Sequence, residues 1–286
     1  FGEGEKPFLV LIEADDKIEY LNSSQSWVTH QNLHNNDLNL EHDYIWDLDE
    51  IPFLDYDMLD IDGYKLNPTS SRYSVTDKYE VDNEDEDLVM EETLGKMLPK
   101  TDIEGHSMPI MTSRGCPFLC TFCASHKVHG RAMRYHSIDR VRSDFTTLKE
   151  TYKANTIIFQ DDHLMGDPDR VYDVLEIIGD LGLQAVFQNG LALYALNRKM
   201  LEAFYKAGVR QLVLPVESGS EKVLKKSMRK PLKLKISERV AADCRDLGIY
   251  TNTNILIGMP GETKQDISDG FYGDLSKIIN SKLIGA

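Results

Sequence analysis

Short apolar runs alternate with amphipathic stretches along the chain from Met108 onward. The apolar runs are rich in β-branched and aromatic residues and are short enough to form strands. They lie near residues 108–113, 156–160, 184–189, 211–216 and 249–257. Strands that are separated by helix-length amphipathic segments are typical of parallel sheets, because each helix returns the chain to the same edge. The pattern therefore predicts an α/β domain over residues 108–286.

The segment between the second and third predicted strands carries the clearest helix signals. Asp167 is suited to cap the amino end, Pro168 fits the first turn, and apolar residues recur at helical spacing before a closing glycine. These apolar positions are Val171, Val174, Leu175, Ile178 and Leu181. Similar segments precede Gly208 and Gly248, and the second puts Cys244 on a buried helix face. We expect Cys244 to be an inert core residue.

Charge and polarity describe the rest of the chain. Residues 13–107 are acidic and irregular, with a polar run at residues 82–87, and we interpret them as a solvated linker. The chain has 32 basic and 47 acidic side chains, and the resulting formal charge of -15 argues against electrostatic capture of nucleic acid or an anionic membrane. One basic cluster is interpreted as a solvated helix face and turn: Lys225, Lys226, Arg229, Lys230, Lys233 and Lys235.

Apolar segments are also too short for a membrane protein. No run approaches the roughly 20 residues that span a bilayer, and the first residues lack the basic and apolar regions of a signal peptide. The sequence thus predicts a cytoplasmic protein whose thiols stay reduced.

Three of the four cysteines, Cys116, Cys120 and Cys123, fall within eight positions. They are too close together for two independent disulfides, and the fourth cysteine is remote. A zinc site would need a further ligand, for which His126 or His129 is available. An iron–sulfur cluster held by three cysteines would leave one iron without a protein ligand and open to a small molecule. The residues alone leave the zinc and iron–sulfur alternatives open.

The spacing Cys-x3-Cys-x2-Cys, with Phe122 before the last cysteine, resembles the cluster motif of the radical S-adenosylmethionine (SAM) superfamily. The first cysteine lies in the segment Ser113-Arg114-Gly115-Cys116-Pro117-Phe118. This segment resembles the same region in members of that superfamily that carry an upstream cobalamin-binding domain. The resemblance implies a partial (β/α)6 barrel of the TIM type, with the last strand expected to be missing. It also implies that residues 1–12, with their Gly-Glu-Gly-Glu segment, are the tail of the cobalamin domain.

The resemblance further implies where cofactors bind. The cysteines would hold a [4Fe-4S] cluster, and SAM would be contacted by residues at the ends of several strands. The implied SAM contacts are Asp161 and Asp162 near the methionine amine, Glu217 and Ser218 at the ribose, Gly258, Pro260 and Gly261 at the adenine, and also Phe122. Local helix capping and turn formation are the alternatives for these polar and glycine positions. His163 lies in a short motif that can bind cobalt elsewhere, but here it opens a barrel helix.

The implied reaction is reductive cleavage of SAM to a deoxyadenosyl radical, followed by cobalamin-dependent methyl transfer to an unactivated carbon of a small molecule. A donor such as flavodoxin or ferredoxin would supply the electron. A methylthiotransferase or tRNA-modifying enzyme is the second hypothesis, and a non-enzymatic zinc module is the third. No residue of the sequence identifies the substrate or a catalytic side chain.

Overall fold

The computed structural model describes residues 2–34, 40–61 and 106–272. The acidic run at residues 82–87 lies outside the described residues. The strands are β1 (His106–Ile110), β2 (Ser113–Arg114), β3 (Arg134–Tyr135), β4 (Ala154–Phe159), β5 (Gln184–Phe187), β6 (Gln211–Glu217) and β7 (Tyr250–Ile255). The helices are α1 (Glu5–Glu13), α2 (Lys17–Ser23), α3 (His30–Leu33), α4 (Ser125–Val128), α5 (Ile138–Glu150), α6 (Pro168–Leu181), α7 (Arg198–Lys206), α8 (Leu234–Leu247) and α9 (Lys264–Tyr272).

Two parallel sheets form the wall of a partial barrel. One has the strand order β1-β4-β5, and the other pairs β6 with β7. Helices α5 to α8 alternate with the strands, as the apolar pattern predicts, so the α/β partial-barrel fold is confirmed. The short strands β2 and β3 pair antiparallel and stand apart from both sheets.

The predicted helix α6 has the expected ends. The Asp167 carboxylate accepts hydrogen bonds from the backbone N–H groups of Asp169 and Arg170, at 3.1 and 3.2 Å. Gly182 closes the helix with φ of 60°, a conformation that side chains disfavour. Cys244 on α8 has 0% exposure, which confirms its place in the core.

An aromatic column fixes the helices on the sheet. The rings of Phe145, Phe159, Phe187 and Phe204 follow one another with centroid distances of 5.8, 4.8 and 5.2 Å. Each of these side chains is buried, and together they join α5, β4, β5 and α7. Because Phe159 and Phe187 are the last residues of β4 and β5, the column packs the helices closely against the carboxyl ends of these strands.

The first predicted strand, over residues 108–113, is split in two. β1 ends at Ile110, and the N–H of Thr112 turns away from the sheet to donate to Asp161, at 3.1 Å from each carboxylate oxygen. Ser113 and Arg114 then pair with Tyr135 and Arg134. The apolar pattern of the sequence does not reveal this break, because it depends on a carboxylate 49 positions away.

The described part of residues 13–107 is more ordered than a solvated linker. It contains α2 and α3, and residues 40–61 pack against the barrel. The Tyr56 hydroxyl donates to the carbonyl of Pro109 at 2.8 Å, and Arg140 donates to the carbonyl of Ile51 at 2.6 Å. Polar composition led to the opposite expectation, because these few anchoring contacts are spread among many exposed polar residues. Within the described ranges, no helix has the length and apolar character needed to cross a membrane.

Candidate functional site

A cavity of about 170 Å³ lies at the carboxyl ends of β4, β5 and β6. Its wall combines the three clustered cysteines with aromatic, apolar and a few charged side chains. The lining residues include Cys116, Cys120, Cys123, Phe118, Phe122, Asp162, His163, Tyr194, Glu217 and Lys230. In barrels of parallel strands this end carries the functional loops.

The cysteines belong to a loop that we call the cysteine loop, residues 115–133, which runs from β2 to β3. Gly115 begins it with φ of 97°, and a Cβ at this position would lie 2.2 Å from the carbonyl oxygen of Ala132. The N–H of Cys116 donates to the carbonyl of Gly130 at 3.2 Å. The base of the loop is therefore closed so tightly that only glycine fits at position 115.

Contacts at its far end hold the loop against the barrel. The backbone N–H of Thr121 donates to the carbonyl of Met228 at 2.9 Å, and its hydroxyl donates to the carbonyl of Ser227 at 2.7 Å. Both acceptors lie at the end of the π-helical turn Val223–Ser227, which follows β6. The cysteine loop is thereby fastened both to its own strand pair and to the opposite sheet.

Electrostatics at the thiols favour a cationic partner. Burial raises the pKa of Cys116 and of Cys120, and the neighbouring cysteine thiols raise both further. Lys230 acts in the other direction on Cys120. Both shifts favour the neutral thiol at Cys116 and Cys120, so binding of these cysteines as thiolates would need metal ions that offset the negative charge.

The thiols do not converge on one point. Among the described residues, no group of three or more His, Cys, Asp or Glu side chains is arranged to hold a single metal ion. His129, a candidate fourth zinc ligand, instead places Nδ1 2.7 Å from a carboxylate oxygen of Asp162. In an iron–sulfur cluster each thiolate binds a different iron atom, so such convergence is not required.

Asp161 and Asp162 are adjacent in sequence but have different environments. Asp161 is 4% exposed and accepts hydrogen bonds from the hydroxyls of Thr112 and Ser113, at 2.9 and 2.6 Å. Burial raises its pKa, although these hydrogen bonds oppose the shift. Asp161 does not line the cavity, and the structure gives it the role of joining the end of β4 to the segment between β1 and β2.

Asp162, in contrast, faces the cavity and contacts the cysteine loop. One carboxylate oxygen lies 2.7 Å from His129 Nδ1 and accepts from the N–H of Gly115 at 3.4 Å. Burial favours the neutral acid, but hydrogen bonds from His129 and Ser125 outweigh it, so the pKa of Asp162 is lowered. The Ser125 hydroxyl also lies 3.2 Å from Cys123 Sγ. The sequence does not reveal the His129–Asp162 pair, because the two residues are 33 positions apart.

Glu217 ends β6 in an unusual conformation. Its φ is 69°, which a residue with a side chain rarely adopts, and its side chain lines the cavity. Burial raises the pKa of Glu217, and Lys230, whose Nζ lies 3.5 Å from Oε1, lowers it in part. The strained backbone therefore holds a carboxylate in the cavity at some energetic cost, as is common at functional sites.

Lys230 corrects one sequence interpretation. We expected it to belong to a solvated basic face, but its side chain is 16% exposed and lines the cavity. Its Nζ lies 5.9 Å from the centroid of the Phe122 ring. Arg229, with φ of 51°, turns the chain back, so that the N–H of Lys230 donates to the carbonyl of Leu224 at 2.9 Å. The sequence of a basic cluster does not show which of its side chains turns toward the interior.

Ser218 and Gly219 have structural contacts. Ser218 is 4% exposed, and its hydroxyl accepts from the N–H of Ser220 at 3.1 Å, which is the local capping alternative. A Cβ on Gly219 would lie 2.4 Å from the Cα of Gly270, so the close approach that glycine permits here is the contact with α9. Neither residue lines the cavity.

The turn after β7, residues 257–262, lies at the surface. Its N–H groups at Gly258 and Met259 donate to the carboxylate of Glu262, at 2.6 and 3.2 Å. Ile257 is 61% exposed. Gly258, Pro260 and Gly261 are also exposed and do not line the cavity. In this structure the turn binds its own glutamate.

An aromatic and imidazole cluster forms another part of the wall. His163 Nε2 lies 3.1 Å from the Tyr194 hydroxyl, and the Phe118 ring contacts both residues edge-on. Burial lowers the pKa of His163, which favours its neutral form. Sequence reasoning missed Tyr194, although its position after a predicted strand was a weak signal.

The fold and the cysteine loop define the class of protein. Residues 110–269 match the family model of the radical SAM superfamily, and the chain belongs to that superfamily of enzymes.

Two relatives narrow the comparison. Over 151 residues the chain is 30% identical to cytidylyl-2-hydroxyethylphosphonate methyltransferase of Streptomyces wedmorensis. This alignment covers 53% of the chain and 28% of the relative. Over 188 residues it is 29% identical to tRNA-2-methylthio-N(6)-dimethylallyladenosine synthase of Frankia casuarinae. This alignment covers 62% of the chain and 34% of the relative. The chain thus spans about a third of the length of these relatives.

A solved structure shares the fold. The radical SAM methyltransferase TsrM from Kitasatospora setae, solved with cobalamin and a [4Fe-4S] cluster bound, superposes with a TM-score of 0.53 at 17% identity. The superposition covers 60% of this chain and 33% of TsrM. At this identity the likeness concerns the fold.

Proposed function

We propose that Cys116, Cys120 and Cys123 bind a [4Fe-4S] cluster and that SAM binds the iron left without a protein ligand. The observation that carries this proposal is the gathering of three half-buried thiols on one tightly held loop at the wall of a cavity. The fourth cysteine, Cys244, is buried in the core on α8 and is not available as a ligand. The donor set therefore fits a cluster with one open iron.

The bound cluster would supply the electron that cleaves SAM. The remaining roles fall to side chains of this chain. Glu217 is held in the cavity by the end of β6, and its carboxylate can accept hydrogen bonds from both ribose hydroxyls. Lys230, on the same wall, can pair with the carboxylate of SAM in place of Glu217. Lys230 would thus match the negative charge of the SAM carboxylate, while Glu217 would bind the neutral ribose.

Aromatic and apolar residues suit a radical reaction. Phe118, His163 and Tyr194 contact one another next to Cys116, and the adjoining wall is made by Leu191 and other apolar residues. Such a surface is mainly apolar, and among the described lining residues the charged side chains Asp162, Glu217 and Lys230 each have an ionic partner. It supports a small, largely neutral substrate in the cavity.

The overall reaction that we propose is cobalamin-dependent methyl transfer to an unactivated carbon of that substrate. Support comes from the methyltransferase relative of Streptomyces wedmorensis and from the fold shared with TsrM, which was solved with cobalamin bound. Cobalamin would bind a domain that precedes the barrel, with residues 1–12 as the end of that domain. A flavodoxin or ferredoxin is the proposed electron donor. The second candidate is a methylthiotransferase, which the Frankia relative favours.

Anaerobic reconstitution with iron and sulfide tests the cluster. We expect about four irons per chain and an electron paramagnetic resonance (EPR) signal after reduction. Cys116→Ala should abolish the signal, whereas Cys244→Ala is the matched control and should retain it. A single tightly held zinc and no reducible cluster would refute the proposal and favour the zinc module.

The overall reaction is tested on the full-length protein. That protein would be supplied with cobalamin, reductant and SAM without oxygen, and assayed for deoxyadenosine and for bound cobalamin. We expect both. Deoxyadenosine without cobalamin binding would favour the methylthiotransferase alternative.

A further inference from the structure

A buried carboxylate near residue 1, that of Glu3, contacts the arginines on both sides of the cysteine loop. Glu3 is 3% exposed, and its oxygens accept hydrogen bonds from Arg134 Nη1 at 2.9 Å and Nη2 at 2.7 Å. It also accepts from the backbone N–H of Ile45 at 3.2 Å and lies 3.4 Å from Arg114 Nη1. The Arg114 contact is electrostatic, because that Nη1 makes no hydrogen bond.

The two arginines occupy matching places at the ends of the cysteine loop. Arg114 directly precedes the loop on β2, Arg134 directly follows it on β3, and the two residues are paired in the strand register. Two guanidinium groups side by side repel each other in a buried site. Glu3 is shared between the two guanidinium groups, and together with Glu5, which pairs with Arg114, it offsets their charges and so supports the pairing of the two strands.

Arg134 extends this network toward the cavity. Its Nη2 donates to the carbonyl of His129 at 2.6 Å, and the rings of Tyr44 and Trp46 lie 4.8 and 5.9 Å from its guanidinium carbon. His129 in turn contacts Asp162 on the cavity wall. A chain of direct contacts therefore joins Glu3 to the residues around the cysteines.

The segment before α1 is shaped for this contact. Gly2 has φ of 75°, and a Cβ there would lie 2.6 Å from His42 Nδ1, so only glycine fits. The constrained backbone at Gly2 directs Glu3 inward, while Glu5 stays 40% exposed and pairs with Arg114 at 2.5 Å. Both glutamates of the Gly-Glu-Gly-Glu segment therefore contact Arg114, the arginine two positions before the first cysteine.

We propose that Glu3 is a positioning residue that fixes the spacing of the cluster cysteines by clamping Arg114 and Arg134, and that it couples the N-terminal segment to the cluster. The inference rests on the proposed cluster. Without the Glu3 charge, the repulsion between the two arginines would be offset only by Glu5, the pairing of β2 with β3 would loosen, and the cysteine loop would bind iron less firmly.

The test measures iron release from the reconstituted protein to an excess of ferrous chelator, without oxygen, at a temperature where circular dichroism shows every variant folded. Glu3→Gln should release iron about tenfold faster than the wild type, as expected for removal of an outer contact of a metal site. Glu3→Asp keeps the charge but shortens the reach, and should give an intermediate rate. Asp43→Asn, which breaks the exposed Lys6–Asp43 pair of the same segment, is the matched control and should stay within about twofold.

The outcomes separate the two proposals. A wild type that takes up no cluster overturns both the proposed function and this inference. A stable wild-type cluster together with unchanged release in Glu3→Gln overturns the inference alone. If Glu3→Gln does not fold, Glu3→Asp decides: release equal to that of the wild type overturns the inference, and faster release from a folded protein supports it.

Discussion

The cysteine loop and the turn after β7 both place glycines with positive φ at the carboxyl ends of strands, but their surroundings differ. Gly115 has φ of 97° and Gly258 has φ of 94°. An added Cβ would lie 2.2 Å from the Ala132 carbonyl at the first position, and would have no heavy atom within 4 Å at the second. The first glycine is required by packing and backbone together, and the second by backbone alone.

The difference extends to the whole of each segment. The cysteine loop is held by the buried Arg134, by Asp162 and by the turn after β6, whereas the turn after β7 is exposed and closed mainly by Glu262. Metal ligands must be held at fixed spacing, since the cluster tolerates little displacement. If the turn after β7 contacts the adenine, as the resemblance implies, its exposed position would let it adjust when the ligand binds. The structure therefore teaches which side of the site is preorganised.

Alanine substitutions at the two glycines should give the largest contrast. Gly115→Ala combines left-handed strain with a clash and should cost roughly 3 kcal/mol or more of unfolding free energy, with loss of the cluster. Gly258→Ala meets only the strain and should cost about 1 kcal/mol while leaving cluster content unchanged. Urea unfolding and iron analysis of both variants measure the contrast. Equal losses of unfolding free energy in the two variants would mean that the difference in packing around the two glycines has no effect on stability.

Two carboxylates sharpen the comparison for ligand binding. Glu217→Ala should weaken SAM binding by roughly 1.5–3 kcal/mol, the value of a lost charge-assisted hydrogen bond, without affecting cluster content. Glu262→Ala should weaken it by less than about 1 kcal/mol, because Glu262 contacts the N–H groups of its own turn. Calorimetry on the reconstituted protein tests both. A larger effect at Glu262 would move the principal contact from the cavity to the turn.

Thr121 tests the outer attachment of the cysteine loop. Thr121→Val removes the hydroxyl that donates to Ser227 and should cost about 0.5–1.5 kcal/mol of unfolding free energy. Because the backbone N–H of Thr121 still donates to Met228, the cluster should remain. Complete loss of iron in this variant would show that the loop depends on its tip more than on its base.

The smallest effect is expected where residues 40–61 meet the barrel. Asp49 accepts from the N–H of Ser137 at 3.0 Å and lies 3.1 Å from His136 Nδ1. Burial raises the pKa of Asp49, but these hydrogen bonds outweigh it and leave the pKa lowered. Such a carboxylate stabilises the folded state above its unfolded pKa, and the stabilisation is lost as pH falls through the folded pKa.

Unfolding free energy should therefore decline below about pH 4, and Asp49→Asn should flatten that decline. The contribution should stay below about 1 kcal/mol, since the side chain is 35% exposed and partly screened. Urea unfolding between neutral and acidic pH measures it. Identical slopes in the wild type and the variant would exclude Asp49 as the source.

Local patterns in the sequence carried much of the fold. Four of the predicted strands and the capped helix α6 appear in the structure within a few residues of their expected positions, because each depends on neighbouring residues. The predicted carboxyl end of the first strand was wrong, because Asp161, which is distant in the sequence, binds the N–H of Thr112 and ends the strand early. The ordered contacts of residues 40–61 were missed for the same reason.

What the sequence determined by itself was the α/β order, the gathering of three cysteines on one loop and the core position of Cys244, since spacing along the chain sets each of these. Only the tertiary structure decided that Asp162 and not Asp161 faces the cavity, and that Lys230 turns inward to Glu217. Glu3 and Arg134 meet across 131 positions, and no local pattern records such a contact. These choices arise when packing brings charged groups together away from water, where each must find a partner.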